Sequence, residues 1–260
     1  MNTVVYDGSF EGLLTAIFEV YEYKLQDVAI YKEQSAHSSL FGTIHKVYTN
    51  TEKSRRVLQK ITQQLTRSSC TQFYKTFLSE LPGIENTLLR YVQYVLDGKT
   101  GAENDYGHAD VLMVQQTSRK VDREKHRMKA FVRFELTGDG LYYAVVQPDF
   151  DVLVLISKHF KESYADQRWM IYDAKRKYGI YYDLEKVSPV EVQFNDHTGN
   201  KTGDHFMYDE REKLYQTLWQ QYFSSVNIKA RRNMKLHIQH MPKRYWKYLT
   251  EKHISLDDQE

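Results

Sequence analysis

A chain of 260 residues with 41% hydrophobic and 27% charged residues can bury one sizeable core or two smaller ones. Its net charge of +2 is too small for a globally basic protein, so any electrostatic footprint must be local. Cys70 is the single cysteine, which excludes internal disulfides, an iron–sulfur cluster held by this chain alone and a cysteine-based zinc finger.

The N-terminal segment and the apolar runs bear on localisation. Strand-like sequence begins at Val4 and Val5, without the basic and apolar regions of a signal peptide. The longest aliphatic run, 152–156, is far shorter than the roughly 20 residues that cross a bilayer. We therefore expect a cytoplasmic protein that does not enter a membrane.

Strand and helix patterns alternate along the first hundred residues. Apolar residues at helical spacing predict helices over 9–23, 51–66, 69–81 and 84–96. Short strands are predicted over 3–6, 27–31 and 42–48. Asp7 or Ser9 can cap the first helix. The polar, glycine-containing segment 97–106 is the best internal boundary.

The second part of the chain begins with a basic helix over 109–129, after which the hydrophobic period changes from 3.6 to 2. Strands over 131–136 and 141–147 flank a good hairpin connection at 137–140. Asp151 can cap a short helix that carries Val152, Leu155, Ile156, His159 and Phe160 on one face. The remaining predicted elements are strands over 168–173, 179–183 and 190–194, a loop over 195–204 and a helix over 210–223.

Short strands in adjacent pairs, with helices grouped before and after them, indicate an α+β fold. We expect one antiparallel sheet, built mainly from residues 130–194 and covered by N- and C-terminal helices. The predicted organisation is a mainly helical part over 1–98 and an α+β part over 105–254, packed as one compact unit.

The basic helix contains the most informative run of the sequence, 117–133. At about 100° per residue, five basic side chains fall within an arc of roughly 120°: Arg119, Lys120, Arg123, His126 and Arg127. An apolar stripe lies opposite and consists of Val114, Val121 and Met128. Such a helix packs its stripe on a core and presents a face that suits a polyanion such as nucleic acid. The alternative is an ordinary solvated face, because Asp122, Glu124 and Lys125 are nearby.

A second basic segment, 229–247, contains seven lysines or arginines and no acidic residue. The seven are Lys229, Arg231, Arg232, Lys235, Lys243, Arg244 and Lys247. Tyr245 and Trp246 stand among them, and cations with aromatics that stack on bases are typical of strand-binding surfaces. In the alternative, Tyr245, Trp246 and Leu249 pack inward while the cations stay in water. We expect this segment and the basic helix to meet in one cationic surface.

The sequence has no nucleophile elbow, phosphate-binding loop or zinc-protease motif. His237 and His240 provide two metal ligands at most, so we expect no metal and no cofactor, and we lean against an enzyme. The candidates for an active site are His126, Asp149 and Asp166. His126 borders the cationic arc, and the two aspartates could supply carboxylates, although aspartates beside helices and strands are usually caps or turn residues.

Several segments together resemble one family in order and spacing. They are Tyr6–Leu14, Phe77–Gly83, Arg123–Glu124, His126–Phe134, Pro148–Phe150, His159–Phe160, Tyr164–Gln167, Ile171–Asp173, Tyr181–Asp183 and Pro242–Lys247. This pattern resembles the bacterial "probable DNA metabolism protein" family over roughly residues 3–251. Its members are typically encoded beside a radical SAM protein, and the domain also appears fused ahead of uracil-DNA-glycosylase-like domains. The chain ends at Glu260, so we do not expect glycosylase activity.

The resemblance and the basic segments lead to an expected function. The chain is predicted to be a nucleic-acid-binding accessory protein in DNA repair or modification, working with a radical SAM partner on single- or double-stranded DNA. The predicted binding residues are Arg119, Lys120, Arg123, Arg127, Arg231, Arg232, Lys235, Lys243, Arg244, Tyr245 and Trp246. Two alternatives stay open: an enzyme acting on a nucleic-acid base or phosphodiester, and a scaffold whose basic surface contacts an acidic partner.

Overall fold

The computed structural model describes residues 2–33, 43–98, 101–191, 218 and 238–252. The chain divides into two compact units, Met1–Asp122 and Arg123–Glu260. The division falls inside a long helix, α5 (Ala109–Phe131). The boundary expected from the sequence at 97–106 stays a prediction. None of the helices in the described ranges combines the length and the apolarity needed to cross a membrane.

The N-terminal unit alternates strands and helices before α5. In chain order they are β1 (Asn2–Tyr6), α1 (Phe10–Glu22), β2 (Val28–Lys32), β3 (Thr43–Lys46), α2 (Thr51–Gln64), α3 (Arg67–Phe77) and α4 (Ile84–Asp97). All were predicted from the sequence, with ends that shift by a few residues.

The strands of the N-terminal unit form a parallel sheet in the order β2-β1-β3. Val4 of β1 pairs in register with Ile30 of β2 and with His45 of β3. The sequence predicted these strands but not a sheet of their own. The parallel direction of β1 and β2 follows from the helix between them, because a parallel pair needs a crossover connection of about a dozen residues or more.

The start of α1 is fixed by a small network of hydrogen bonds. Ser9 is the N-cap, and its Oγ accepts a hydrogen bond from the Gly12 N–H at 2.9 Å. Asp7 accepts hydrogen bonds from Ser9 Oγ and from Thr49 Oγ1, each at 2.7 Å. Burial alone would raise the pKa of the Asp7 carboxyl, but these hydrogen bonds lower it. A methyl group at Gly12 would lie 2.2 Å from Asp7 Oδ1, so a larger residue there would displace the Asp7 carboxylate from this network.

The helices α1 and α4 pack on this parallel sheet. Leu13, Leu14 and Ile17 of α1 are buried, and each contributes about 1.5–3 kcal/mol by leaving water. Asn86 of α4 accepts a hydrogen bond from the Ile30 N–H at 2.7 Å and ties the helix to the edge strand β2. The apolar stripes of these helices therefore meet a sheet that precedes residue 50.

Charged side chains connect α1, α2 and β3. The Lys53 ammonium lies 3.0 Å from Glu19 Oε1 and 2.7 Å from Glu22 Oε2. The Nε2 atom of His45 lies 2.6 Å from Glu19 Oε2. We call Glu19, Glu22, His45 and Lys53 the Lys53 cluster.

The C-terminal unit contains the end of α5 and a second sheet. Its elements are β4 (Glu135–Leu136), β5 (Tyr142–Val146), α6 (Leu153–Ser163), β6 (Trp169–Asp173), β7 (Tyr178–Tyr182), β8 (Val187–Val190) and a short 3-10 helix at Lys243–Tyr248. The strand order is β4-β5-β6-β7-β8. These pairs are antiparallel except for β5 and β6.

The α+β fold with an antiparallel sheet in 130–194 is confirmed, with one parallel pair that the sequence did not predict. Because α6 lies between β5 and β6, the chain returns to the same end of the sheet and runs in the same direction. Both faces of β6 are covered, because successive side chains of a strand alternate between faces and all five residues of β6 are buried. Trp169 and Ile171 are buried on one face of β6, and Met170 packs with Tyr143 on the other.

Details of the second sheet differ from the prediction. The helix α5 continues to Phe131, so the strand expected over 131–136 is reduced to β4. Asp151 does not cap α6; Val152 is the N-cap, and the Asp151 carboxylate accepts a hydrogen bond from the Tyr178 hydroxyl. The strand β8 overlaps the strand expected over 190–194 only at Val190, and residues 192–194 of that prediction lie outside the described residues. The loop 195–204 and nearly all of the helix predicted over 210–223 lie outside the described residues.

Candidate functional site

The two sides of α5 differ as the sequence predicts. Val114, Val121 and Met128 are each almost fully buried, which confirms the apolar stripe. These residues are spaced seven apart, and seven residues make two turns of an α-helix. The stripe therefore fixes which side of the helix faces away from the core.

That outward side is cationic. Its members are Arg119, Lys120, Arg123 and Arg127, which we call the α5 cationic face. The first three are exposed and form no ion pair with any residue in the described ranges. The side chain of Arg127 is 29% exposed and lies 3.6 Å from the carboxylate of Glu124.

Glu124 is a buried carboxylate in the C-terminal unit, with 2% of its side chain exposed. The Tyr245 hydroxyl lies 2.6 and 2.7 Å from its two oxygens. Arg127 and Arg244 lie 3.6 and 3.4 Å from Oε2, and the backbone N–H of Asp149 donates to Oε1 at 2.8 Å. We call these five residues the Glu124 cluster. A carboxylate tolerates such burial because cations and donors surround it.

Tyr245 anchors the C-terminal segment to α5. Its ring is buried and lies 5.4 Å from the ring of Phe131, between centroids. Burial and the adjacent Glu124 carboxylate raise the pKa of the Tyr245 hydroxyl, which stays a protonated donor. The expectation that Tyr245 stacks on bases is therefore wrong. The inward-packing alternative holds for Tyr245 and for Leu249, which is also buried.

The guanidinium of Arg244 is held through a single nitrogen. Its Nη2 lies 2.5 Å from the Tyr245 hydroxyl oxygen, 2.7 Å from Asp149 Oδ2 and 3.4 Å from Glu124 Oε2. The group also stacks on the Tyr245 ring, 4.5 Å from its centroid. Within the part of the chain that the structure describes, Nη1 and Nε form no hydrogen bond. The side chain is 42% exposed, so one nitrogen is engaged while the other two keep free N–H groups.

The backbone at Asp149 is clamped on both sides. Lys175 Nζ and Arg176 Nη2 donate to the Asp149 carbonyl at 2.7 and 3.1 Å, while Glu124 accepts from its N–H. Arg176 is positioned by Asp173, a fully buried carboxylate 2.8 Å away. The Asp149 carboxylate, 50% exposed, therefore stands on a fixed piece of backbone.

Residues 82–251, well over half of the chain, match DUF4130, described as a domain of unknown function. The chain belongs to the DUF4130 family. No curated protein matches it. Among solved structures, the pGpG-specific phosphodiesterase PggH from Vibrio cholerae is similar at 8% sequence identity, over 69% of this chain and 80% of that one, with a TM-score of 0.34. A likeness of that size supports no statement about fold or function.

The DUF4130 match contains every member of the Glu124 cluster and of the α5 cationic face. The described end of the second basic segment does meet α5, but through an acidic residue, Glu124. Three of the predicted binding residues lie outside the described residues: Arg231, Arg232 and Lys235. A cationic surface shared by the whole of both segments stays a prediction.

Trp246 keeps features of a stacking residue. Its ring is partly exposed, and its Nε1 donates to the Met241 carbonyl at 3.0 Å. The ammonium groups of Lys243 and Lys252 lie 5.9 and 5.0 Å from the ring centroid. An aromatic ring beside two cations suits a nucleotide, and this predicted role of Trp246 and Lys243 stays a prediction.

The three catalytic candidates differ in their surroundings. His126, Asp149 and Asp166 are all exposed. Asp149 belongs to the Glu124 cluster, whereas His126 and Asp166 form no hydrogen bond or ion pair with a described residue. Over the same ranges, no three His, Cys, Asp or Glu side chains converge closely enough to hold a metal ion. An active site of the chain's own stays a prediction.

Sequence reasoning missed the central position of Glu124. A local signal exists, because Glu124 follows Val121 by three residues and precedes Met128 by four, which places it on the apolar side of the helix. A carboxylate at such a position is buried and needs partners. Its partner Tyr245 lies 121 residues further along the chain, which no local pattern reveals.

Proposed function

We propose that this DUF4130 chain is a nucleic-acid-binding accessory protein in DNA repair or modification, and that its α5 cationic face contacts phosphates. The observation that carries the proposal is that Arg119, Lys120 and Arg123 are exposed on one side of a helix, with no carboxylate partner among the described residues. Like charges on one helix face destabilise each other. A polyanion relieves that repulsion.

The dimensions of the face fit a phosphate backbone. Arg119 and Arg127 are eight residues apart, which is about 12 Å along a helix. Phosphates of one strand follow each other by about 3.4 Å along a duplex, so the face covers about three or four of them. Cations reach phosphates without reading bases, and we expect binding that is independent of sequence. Log affinity should fall with log salt with a slope of about −3.

The accessory role and the radical SAM partner rest on the resemblance to the "probable DNA metabolism protein" family. With Cys70 as its single cysteine, the chain has no three-cysteine motif for the cluster of such an enzyme, and radical chemistry would come from the partner. We propose that the pair acts in the cytoplasm, where this chain presents single- or double-stranded DNA to the partner.

The test is fluorescence anisotropy with labelled single-stranded and duplex oligonucleotides at several salt concentrations. The variant R119A/K120A/R123A should bind at least about 100-fold more weakly at about 50 mM salt, with the salt slope reduced by about 2–3. A matched control is R55A/K60A/K158A. It removes three exposed helical cations from α2 and α6, and it should bind like the wild type.

Two outcomes would overturn the proposal. If the wild-type chain binds neither form of DNA at about 50 mM salt, it is not a DNA-binding accessory protein. If the control loses as much affinity as the α5 variant, binding reflects total charge, and α5 is not the contact surface.

A further inference from the structure

We propose that Arg244 is a preformed phosphate-binding group and that Asp149 is its resting counter-ion, which nucleic acid displaces. The inference rests on the proposed function and adds a second contact point in the C-terminal unit. Asp149 would then tune affinity by competing with the phosphate for the same cation.

The geometry prepares Arg244 to bind an oxyanion. Contacts through Nη2 and the stacking on Tyr245 hold the guanidinium in place, so little freedom is lost when a ligand binds. A guanidinium binds a phosphate through two parallel N–H groups. Each such pair of Arg244 includes Nη2, the nitrogen that contacts Asp149. A phosphate that replaces Asp149 at Nη2 can take its second N–H from Nη1 or Nε, because neither is used by a described residue.

Asp149 differs from the other two acceptors of Arg244 in its accessibility. Glu124 and Tyr245 are buried, so no ligand can replace them. The Asp149 carboxylate is half-exposed, and its contact with Arg244 lies at the surface, where ion pairs contribute little. A phosphate can therefore take over this contact at small cost. The fixed backbone keeps the Asp149 carboxylate close to Arg244. Its negative charge therefore opposes phosphate binding until the Asp149 side chain rotates away.

The test compares D149N with D166N. Both variants remove one exposed carboxylate from the C-terminal unit, and D149N retains the backbone contacts to Glu124, Lys175 and Arg176. In the wild type the displaced Asp149 carboxylate takes up a cation, which offsets the cation released from the phosphate at Arg244. Without this offset the salt slope steepens by about 0.7–0.9, which is about tenfold in affinity at about 50 mM salt. We expect D149N to bind oligonucleotides about tenfold more tightly than D166N, with that steeper slope.

A second comparison places the effect on Arg244. In an R244Q background, which removes the guanidinium, D149N should bind no more tightly than D166N. Thermal unfolding checks that each variant is folded. A further measurement leaves Arg244 unchanged. In D149N, the NMR signal of the Arg244 side-chain Nε–H should shift when an oligonucleotide is added.

The outcomes separate this inference from the proposed function. Equal affinity of D149N and D166N, together with weak binding by the α5 variant, would overturn the role of Asp149 and leave the proposed function standing. Tighter binding by D149N with an inert α5 variant would support Arg244 and contradict the α5 assignment. Weaker binding by D149N than by D166N would make Asp149 a ligand-binding group and overturn the inference.

Discussion

The Lys53 cluster of the N-terminal unit and the Glu124 cluster of the C-terminal unit use the same kinds of charge in opposite arrangements. In the Lys53 cluster the cation is central. The Lys53 ammonium contacts Glu19 and Glu22, and two aromatic rings lie within 5.7 Å of it. In the Glu124 cluster the anion is central, and its arginines reach it from the rim.

This difference determines which charges remain available to a ligand. A lysine enclosed by two carboxylates has its donors engaged, and its contribution is to join α1 and α2. An enclosed carboxylate fixes the arginines around it while leaving them 29% and 42% exposed. The arrangement with the anion inside therefore combines rigidity with exposed positive charge, which a phosphate-binding surface requires.

The comparison predicts that Glu124 supports its unit most strongly. In Glu124→Ala, Arg127, Arg244, the Tyr245 hydroxyl and the Asp149 N–H all lose their shared acceptor. Removing one partner of a buried ion pair costs about 3–5 kcal/mol, and the partial exposure of the arginines favours about 3 kcal/mol here. Urea unfolding followed by circular dichroism measures the free energy.

A carboxylate in an exposed pair serves as the control. Glu162 lies 3.7 Å from Lys158 on α6, and both are mostly exposed. Glu162→Ala should change the free energy of unfolding by no more than about 0.5 kcal/mol. If Glu124→Ala and Glu162→Ala have the same free energy of unfolding, the central position of Glu124 does not contribute to stability, and the comparison between the clusters fails.

Much of the fold was predictable from the sequence because its signals are local. The apolar residues of α1 and α5 recur at helical spacing, and the hairpin between β4 and β5 has turn residues at the right place. The pairing of the strands was harder to predict from the sequence. Whether β5 pairs with β6 in parallel depends on where α6 returns the chain, and the hydrophobic pattern of β6 is the same for either direction.

The candidate site is likewise predictable only where its signals are local. The α5 cationic face follows from helix geometry, and the structure shows Arg119, Lys120 and Arg123 exposed, as the sequence predicts. An aromatic residue among cations predicts base stacking for Tyr245. Its burial depends on a carboxylate 121 residues earlier, a relation that only the folded chain reveals.

The second prediction concerns the enclosed cation. Lys53→Ala should lower the free energy of unfolding by about 1 kcal/mol, because it leaves Glu19 and Glu22 close together without their shared lysine. The affinity for oligonucleotides should stay unchanged, since the donors of Lys53 are already engaged. Urea unfolding and anisotropy measure the two effects, with Lys60→Ala, an exposed lysine of the same helix, as the control. A loss of nucleic-acid affinity in Lys53→Ala beyond that of Lys60→Ala would show that an enclosed cation can still serve a ligand.

The smallest expected effect is the acid response of Glu19. Burial alone would raise the pKa of the Glu19 carboxyl, but hydrogen bonds from His45 and Lys53 lower it. The folded pKa lies below the unfolded value of about 4.3, so this contribution is complete above that pH and is lost as the pH falls through the folded value. Between neutral pH and about pH 3 the wild type should therefore lose more stability than Glu19→Gln, which lacks this titration. Glu11→Gln, an exposed change in the same helix, should follow the wild type. Parallel curves for the wild type and Glu19→Gln would show that the Lys53 cluster does not favour the ionised form of Glu19.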